Sequence, residues 1–252
     1  MAQPLSVDLN CDLGESFGRY ALGQDAEMMA LITSANIACG FHAGDPTVMV
    51  HTVALAKRHH VSIGAHPGYP DLQGFGRRAM GLSPLEIAYA ICYQIGALAA
   101  FTKIAGARLV HVKPHGALYN LASQDAETAK VIAQTVAEYD PGLVLVGLAG
   151  SELIRQGEIA GLQVAREGFP DRACLPDGSL MPRAQPGAVI SEPGAVAENA
   201  LRLVKQGIMS DNENSKIDTL CLHGDHPDAV NNAKEVRRVL EARGVGIRPF
   251  AS

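Results

Sequence analysis

The sequence predicts an α/β fold, a single (β/α)7-type barrel spanning residues 1–252, and three observations lead to this prediction. Short β-branched runs alternate with longer helical patterns seven times along the 252 residues, as in a parallel sheet covered by helices. Ionisable or amide residues follow almost every one of these runs. A closed barrel gathers the carboxyl ends of all its strands around one opening, whereas an open sheet uses only a few of them.

The alternation defines each element in turn. The predicted strands cover residues 5–10, 35–39, 61–65, 108–113, 142–148, 162–167 and 218–223. The predicted helices cover residues 25–33, 46–60, 84–105, 125–139, 151–159, 194–207 and 227–243. Ser83, Pro84 and Glu86 form a capping box with proline at the first helical position, which is a strong helix start. The span 167–193 is rich in proline and lacks helical periodicity, so we expect a lid or a binding loop there.

Composition restricts the class of partner. A net charge of -5 gives no electrostatic reason to expect nucleic acid or an anionic membrane surface. The five cysteines are widely spaced and include no CxxC pair, which argues against a disulfide framework and a structural zinc site. The apolar segment 84–105 contains Glu86, Gln94 and Lys103, so a membrane span is not expected. We expect a soluble, cytoplasmic protein that acts on a small molecule.

The stretch VDLNCDLGE (7–15) has an alternating pattern. Asp8, Asn10 and Asp12 fall on one face of a strand, and hydrophobic residues fall on the other. A surface strand of an antiparallel sheet would show the same alternation. Both interpretations stay open on this segment alone, but the other strand ends favour a polar barrel mouth.

Two further segments place charge at strand ends. In HVKPHG, Lys113 and His115 share a face with His111; a lysine inside a barrel is costly unless it meets an anion, although an outward lysine between helices is the alternative. In GAHPGYPDLQGFGRR, His66 precedes a glycine-rich turn with Arg77 and Arg78, which could cradle a phosphate or be solvated. No GxxxxGK[ST] or GxGxxG motif is present, which disfavours a P-loop and a Rossmann site.

The histidines and acids at the strand ends permit two kinds of chemistry. Imidazole and carboxylate groups bind zinc-like ions, and they also transfer protons around an organic substrate. The residues concerned are Asp8, Asp12, His42, His66, His223 and Asp225. Because the chain has no HExxH motif, the spacing is not diagnostic. We predict no tightly bound metal.

Six segments carry a resemblance to a known family. They are NCDLGE (10–15), NIACGFHAGDP (36–46), GAHPGYPD (64–71), VKPHGALYN (112–120), EGFPDRA (167–173) and LHGDHP (222–227). Together, in this order, they resemble the LamB/YcsF family. The resemblance implies a barrel akin to those of glycoside hydrolases and deacetylases. It also implies an ATP-dependent lactam hydrolase that cleaves 5-oxo-L-proline to L-glutamate, with Mg²⁺, in a complex with two further subunits, B and C.

The strand-end residues then receive expected roles. The expected catalytic residues are Asp12, His66, Lys113, His115 and Asp8. The expected substrate- or nucleotide-binding residues are Asn10, Asn36, His42, Arg77, Arg78, Glu167, His223 and Asp225. In this hypothesis Lys113 holds phosphoryl or carboxylate oxygens, and Asp12 or His66 orients the attacking water; we expect Lys113→Ala to abolish activity and leave the fold intact.

Two alternatives remain open at this point. The chain could be a metal-dependent amide hydrolase or deacetylase that works alone, or a substrate-binding subunit without catalytic groups. Assembly into a homo-oligomer is also left open.

Overall fold

The computed structural model describes residues 5–182, 185–210, 213–224 and 228–251. The strands are β1 (Ser6–Leu13), β2 (Ser34–Ala38), β3 (Ser62–His66), β4 (Leu109–Val112), β5 (Val144–Leu148), β6 (Gln163–Gly168), β7 (Ile208–Ser210), β8 (Glu213–Ser215), β9 (Thr219–Leu222) and β10 (Gly246–Ile247). The helices are α1 (Asp25–Met29), α2 (Pro46–His59), α3 (Pro84–Ile104), α4 (Gly116–Gln124), α5 (Ala126–Tyr139), α6 (Glu152–Ile159), α7 (Pro193–Gln206) and α8 (Ala229–Ala242).

Seven parallel strands close into a barrel. The order is β1, β2, β3, β4, β5, β6 and β9, and β9 also pairs with β1, which completes the ring. The predicted (β/α)7 barrel is therefore confirmed. Asp8 of β1 lies opposite Thr219 of β9, and Asp12 lies opposite Asn36 of β2. The alternative of an antiparallel surface strand for residues 7–15 is wrong, because β1 is parallel to both neighbours and buried on both faces.

The alternation along β1 separates two interiors. Val7, Leu9 and Leu13 join the hydrophobic core between the barrel and its helices, and each such burial contributes about 1.5–3 kcal/mol. Asp8 and Asn10 are 1% exposed and point into the barrel. At Asp8 and Asn10 the polar face of β1 thus meets polar side chains of the protein rather than water.

Helix starts follow the predicted caps. The Asp45 carboxylate accepts from Thr47 and Val48 at the start of α2, and Ser83 with Glu86 forms the capping box of α3. By length and composition α3 could also span a membrane. It packs against α2, α5 and the strands β3 and β4, and Gln94 on its buried face bonds to Gly68, so we interpret it as a barrel helix.

Four elements were not predicted. α4 begins at Gly116 with no side-chain cap from His115, so it lacks the signal that marks the other helices. The hairpin β7–β8 and the strand β10 have only two or three residues per strand, too few to produce a pattern. One closed barrel occupies the described residues, and the single domain over residues 1–252 stays a prediction.

Candidate functional site

A cavity of about 440 Å³ opens at the carboxyl ends of the barrel strands. Its walls include Asp12 from β1, His66 from β3, Lys113 after β4, Phe169 after β6 and His223 after β9. This volume lies within the range of small-molecule sites, about 300–1,000 Å³. The carboxyl-end mouth is also where barrel enzymes place their chemistry.

The long segment after β6 forms one wall of this cavity. Arg172, Leu180 and Met181 line it. Arg172 donates to the carbonyl oxygens of Ala188 (3.3 Å) and Met181 (2.6 Å), which ties the two sides of the segment together. The segment occupies the position that a binding loop requires.

Lys113 lies at the centre of an ion cluster on the cavity wall. Its Nζ lies 3.0 Å from Asp12 Oδ1 and 2.8 Å from Glu167 Oε1. Asn10 Oδ1 at 3.3 Å and Cys221 Sγ at 3.2 Å complete its surroundings. Lys113 is only 2% exposed, so it points inward as expected and the alternative of an outward lysine is wrong. The anions that it meets are Asp12 and Glu167 of the chain itself, and its contact with a carboxylate or phosphate ligand stays a prediction. An ammonium has three protons, and four acceptors surround this one.

Lys113 and Asp12 stay ionised although they are buried. Burial alone would lower the pKa of Lys113, but Asp12 and Glu167 outweigh it and hold the pKa well above the usual value. Burial alone would raise the pKa of Asp12, but His66 and Lys113 hold it well below its usual range. Both charges are therefore present at neutral pH.

The side-chain amides of Asn10 and Asn36 contact the ion cluster inside the barrel. Asn36 donates from Nδ2 to Asn10 Oδ1 (2.7 Å) and to Asp12 Oδ1 (2.8 Å). His111 Nε2 donates to Asn36 Oδ1 (2.8 Å), which fixes the orientation of that amide. The ring of His111 crosses Gly64, where a Cβ would lie 2.0 Å from Nε2. Asn36 therefore holds Asp12 in place, Asn10 accepts from Asn36 and Lys113, and neither amide lines the cavity.

Asp8 lies one layer deeper in the barrel. Its carboxylate accepts from the hydroxyls of Thr33 (2.6 Å), Ser34 (2.6 Å) and Thr219 (2.5 Å). Burial raises its pKa to about 6. Asp8 is absent from the described walls of the mouth cavity and instead borders a smaller one with Asp218 and Arg248. We therefore infer that Asp8 supports the barrel rather than the chemistry.

Three histidines and a glutamate meet beside the ion cluster. Glu15, His42, His66 and His115 place one donor atom each within 4.8 Å of one another. His66 Nε2 lies 3.1 Å from His115 Nδ1 and 3.3 Å from Asp12 Oδ2. The ring of His42 stacks on that of His115 at 3.7 Å. Burial lowers the pKa of His115, to about 3, and that of His42 well below its usual value, so these two rings are neutral.

The two adjacent arginines of the glycine-rich loop contact different parts of the protein. Arg77 lines the cavity, with its guanidinium 4.9 Å from the centre of the Phe75 ring. Arg78 instead grips Asp71 with Nε 3.0 Å from both carboxylate oxygens. A Cβ at Gly74 would lie within 2.2 Å of both partners, so the glycine is needed where this pair crosses the chain. Arg78 therefore shapes the loop and does not line the cavity.

Two further pairs border the cavity. His223 Nδ1 donates to Asp171 Oδ2 (2.5 Å), which leaves Nε2 as the other ring nitrogen for proton exchange. Tyr119 donates to Glu167 Oε2 (2.8 Å), and burial beside Glu167 raises the Tyr119 pKa well above its usual value. The predicted site residue Asp225 lies outside the described residues.

Some site residues were not among those predicted. They are Glu15, Tyr119, Asp171 and Arg172. Each lies inside a segment that carries the family resemblance, such as NCDLGE or EGFPDRA. Membership of those segments was the available signal, because none of the four is on a predicted strand where periodicity would select it.

Relatives of this chain identify its family. The sequence model described as the LamB/YcsF family matches residues 7–252. The chain belongs to the LamB/YcsF family. Its relatives include proteins named as the A subunit of 5-oxoprolinase from Methylococcus capsulatus, 55% identical over 96% of this chain and 95% of the relative, and from Syntrophobacter fumaroxidans, 53% identical over 96% and 98%. The Pyrococcus furiosus relative with the same name is 52% identical over 98% of both chains.

Solved structures agree with the LamB/YcsF fold. The lactam utilization protein from Thermus thermophilus superposes with a TM-score of 0.91 at 50% identity, over 98% of this chain and 100% of that chain. A deacetylase solved with its substrate superposes with a TM-score of 0.51 at 12% identity, over 98% of this chain and 89% of the other. At that identity the likeness shows the fold alone, and the barrel shared with deacetylases is as the resemblance implied.

Proposed function

We propose that this chain is the A subunit of an ATP-dependent 5-oxoprolinase, a lactam hydrolase that opens 5-oxo-L-proline to L-glutamate while ATP is hydrolysed to ADP and phosphate. Relatives that carry this name match the chain over almost their whole length. The T. thermophilus relative, named for lactam utilization, supports the same substrate class.

The observation that carries the proposal is the ion cluster in which Asp12 and Lys113 line the cavity and the fully buried Glu167 contacts Lys113. A five-membered lactam is a stable amide, so its carbonyl must be activated before water attacks. Fixed charges in a site with little water act most strongly on charge that develops in a transition state. A cavity whose wall holds buried ionised groups supplies that environment.

Within this proposal Lys113 acts through its neighbours. Its ammonium protons already face Asp12, Glu167 and Asn10, so it fixes the Asp12 carboxylate at the cavity against the buried Glu167. This differs from the expectation that Lys113 grips phosphoryl oxygens itself. Asp12, kept ionised, is suited to orient the attacking water, and Tyr119 fixes the second oxygen of Glu167.

Different residues are suited to transfer protons and to bind the negative charge of the substrate. The Asp171–His223 pair borders the cavity, and an imidazole oriented by a carboxylate is a suitable acid or base for the ring nitrogen as it leaves. Arg77 and Arg172 bring positive charge to the mouth, where a substrate carboxylate or a phosphoryl group would bind. His66 and His115 complete the wall, and His66 is the candidate base if no ion occupies the neighbouring donor cluster.

ATP and the partners belong to the proposal. The sequence has no P-loop motif, which is consistent with an Mg²⁺-ATP site shared with subunits B and C. The complex would operate in the cytoplasm, and a homo-oligomer of this chain within it remains open.

The test is L-glutamate formation from 5-oxo-L-proline by the purified chain, with and without Mg²⁺-ATP and with and without the two partner proteins. We expect glutamate only when ATP and partners are all present, with ADP released in equal amount. Glutamate from this chain alone without ATP would replace the proposal by a stand-alone hydrolase. No glutamate from the fully assembled mixture, with each protein shown to be folded, would overturn it.

The same assay separates catalysis from scaffolding. If His223→Asn in this chain leaves the assembled complex at wild-type turnover, the chemistry lies in a partner and this chain only binds. A loss of turnover on the order of 10²–10⁴-fold is the expected result for a proton-transfer group.

A further inference from the structure

The donor cluster of Glu15, His42, His66 and His115 has a feature that the proposed function does not use. His66 donates from Nδ1 to the Lys113 carbonyl oxygen (2.7 Å), and His115 donates from Nε2 to the Phe75 carbonyl oxygen (2.8 Å). A carbonyl oxygen only accepts, so these contacts place the ring protons on the outer nitrogens. His66 Nε2 and His115 Nδ1 then face each other at 3.1 Å, and Asp12 Oδ2 lies 3.3 Å from the same His66 nitrogen. Two ring nitrogens and a carboxylate oxygen so close together require a cation among them, either a proton on His66 Nε2 or a metal ion.

The spacing suits a metal ion. Imidazole nitrogens lie about 2.0–2.1 Å from zinc, so two of them at a tetrahedral angle lie about 3.4 Å apart. The His66–His115 distance of 3.1 Å is close to that value, and the two rings are nearly perpendicular, at 88°. Glu15 Oε1 lies 3.9 Å from His115 Nδ1, which brings a carboxylate to the same point. Backbone carbonyls that orient ligand imidazoles are a usual surrounding of metal sites.

His42 is a second, independent observation. Its side chain is fully buried, and neither ring nitrogen has a hydrogen-bond partner in the part of the chain that the structure describes. Leaving such a donor or acceptor unsatisfied costs about 1–3 kcal/mol. The His42 Nε2 atom lies 3.9 Å from Glu15 Oε1, so this ring nitrogen faces the carboxylate of the donor cluster. The glycines at 68 and 76 leave room for the ring, because a Cβ at either would lie within 2.8 Å of His42.

We propose that Glu15, His66 and His115 bind one zinc-class divalent ion at the wall of the mouth cavity, with His42 as the fourth ligand. Imidazole with one carboxylate is a donor set that such ions prefer. His42 stacks parallel to His115, within 2°, so an ion in the plane of His115 lies off the plane of His42 until that ring turns. His42 is therefore the weakest ligand, and its position is the one that a cavity ligand can take over.

This inference rests on the cluster's geometry and not on the proposed function. It opposes the expectation of no tightly bound metal. The test therefore uses metal content and spectra instead of activity. The purified full-length chain is stripped with a chelator, then titrated with Zn²⁺ and, in a parallel sample, with Co²⁺. Bound metal per chain is measured by elemental analysis after gel filtration, and the visible Co²⁺ absorption reports imidazole coordination.

We expect about one ion per chain in the wild type, with a rise in thermal stability on loading. Glu15→Gln and His115→Asn should each weaken binding on the order of 100-fold, and His42→Asn should weaken it less, about 10-fold. His59→Gln on α2 is the control, because His59 is an exposed histidine outside the cluster, and the ion content of this variant should equal that of the wild type.

Two results would overturn the proposal. One is a folded wild-type chain that retains no ion at micromolar free metal, which would leave a shared proton between His66 and His115 as the bridging cation. The other is metal binding that is equally strong in the wild type, Glu15→Gln and His115→Asn, which would place the ion elsewhere. Because Glu15→Gln keeps the size of the side chain, it guards against a variant that merely fails to fold, and a circular dichroism melt confirms its folding.

Discussion

Asp8 and Asp12 lie four residues apart on the same face of β1, yet the barrel gives them opposite properties. Asp8, in the deeper layer, is surrounded by three hydroxyls, and burial raises its pKa to about 6. Asp12, at the mouth, faces His66 and Lys113, which hold its pKa well below the usual range despite burial. The pattern of the strand does not distinguish the two acids, but the strands that pair with it do.

The difference shows how one barrel separates structure from chemistry. Hydroxyl groups satisfy a buried carboxyl without supplying a countercharge, so the deeper layer suits a carboxyl that tends toward neutrality. An ammonium and an imidazole stabilise a carboxylate, so the mouth keeps a charge beside a cavity. Residues in the mouth layer are expected to control turnover, and those in the deeper layer are expected to control stability.

The largest effect is expected at Lys113. Lys113→Met keeps the length of the side chain and removes its charge, which leaves Asp12 and Glu167 buried without their countercharge. Removing one partner of a buried ion pair costs about 3–5 kcal/mol. We therefore expect loss of activity in the assembled complex together with this loss of stability, measured by urea unfolding. The expectation that Lys113→Ala leaves the fold intact is replaced by this one.

The exposed Lys130 on α5 provides the matched control. Lys130→Met should change the free energy of unfolding by no more than about 0.5 kcal/mol. Equal stability of Lys113→Met and Lys130→Met would contradict the ion cluster as described.

The pH dependence of stability should have opposite signs at the two aspartates. The pKa of Asp8 is higher in the folded chain, about 6, than in the unfolded chain, 3.8. Asp8 therefore stabilises the fold fully below pH 3.8, and this contribution is lost as the pH rises through about 6. The pKa of Asp12 is lower in the folded chain than the unfolded value of 3.8. Asp12 therefore stabilises the fold above pH 3.8, and this contribution is lost as the pH falls through its folded-state pKa.

The measurement is the free energy of unfolding of the wild type, Asp8→Asn and Asp12→Asn across this range. From about pH 3 to about pH 7, the advantage of the wild type over Asp8→Asn should shrink by about 3 kcal/mol, since one pKa unit corresponds to about 1.4 kcal/mol. The advantage over Asp12→Asn should shrink toward acid instead. If the free energies of unfolding of Asp8→Asn and Asp12→Asn changed in parallel with pH, the opposite properties assigned to the two aspartates would be contradicted.

The smallest effect is expected at the adjacent arginines. Arg77 lines the cavity, whereas Arg78 is engaged with Asp71. Arg77→Ala should raise the KM for 5-oxoproline or ATP about 10-fold with little change in kcat, which is the pattern of lost ground-state binding. Arg78→Ala should leave both KM values within about 2-fold, because its partner is a loop carboxylate. A reversed order would mean that the loop turns Arg78 toward the ligand.

The fold was predictable where its signals repeat. Seven strands and seven helices followed from alternation and from caps such as Ser83 with Glu86. α4 was missed because His115 serves the site through its ring and offers its helix no side-chain cap. The hairpin β7–β8 is too short for periodicity, and the pairing of β10 with β1 is a long-range contact that no local pattern encodes.

The site was predictable only as a list of residue types at strand ends. Sequence patterns placed Asp12, His66, Lys113 and His223 at the mouth, where the structure has them. They could not show that Asp12 lies at the cavity and Asp8 deeper in the barrel, because both side chains lie on the same face of β1. They could not pair Arg78 with Asp71 or bring the ring nitrogens of His66 and His115 together, because those contacts form only in the folded chain.

The most direct test of the account compares one substitution at two depths of one strand. Complexes assembled with wild-type, Asp12→Asn or Asp8→Asn chains are assayed for L-glutamate released from 5-oxo-L-proline with Mg²⁺-ATP, after each chain is shown to be folded. We predict that Asp12→Asn lowers turnover on the order of 10²–10⁴-fold, while Asp8→Asn stays within a few-fold of the wild type. Equal losses at both positions, or full turnover by Asp12→Asn, would contradict the assignment of the chemistry to the barrel mouth.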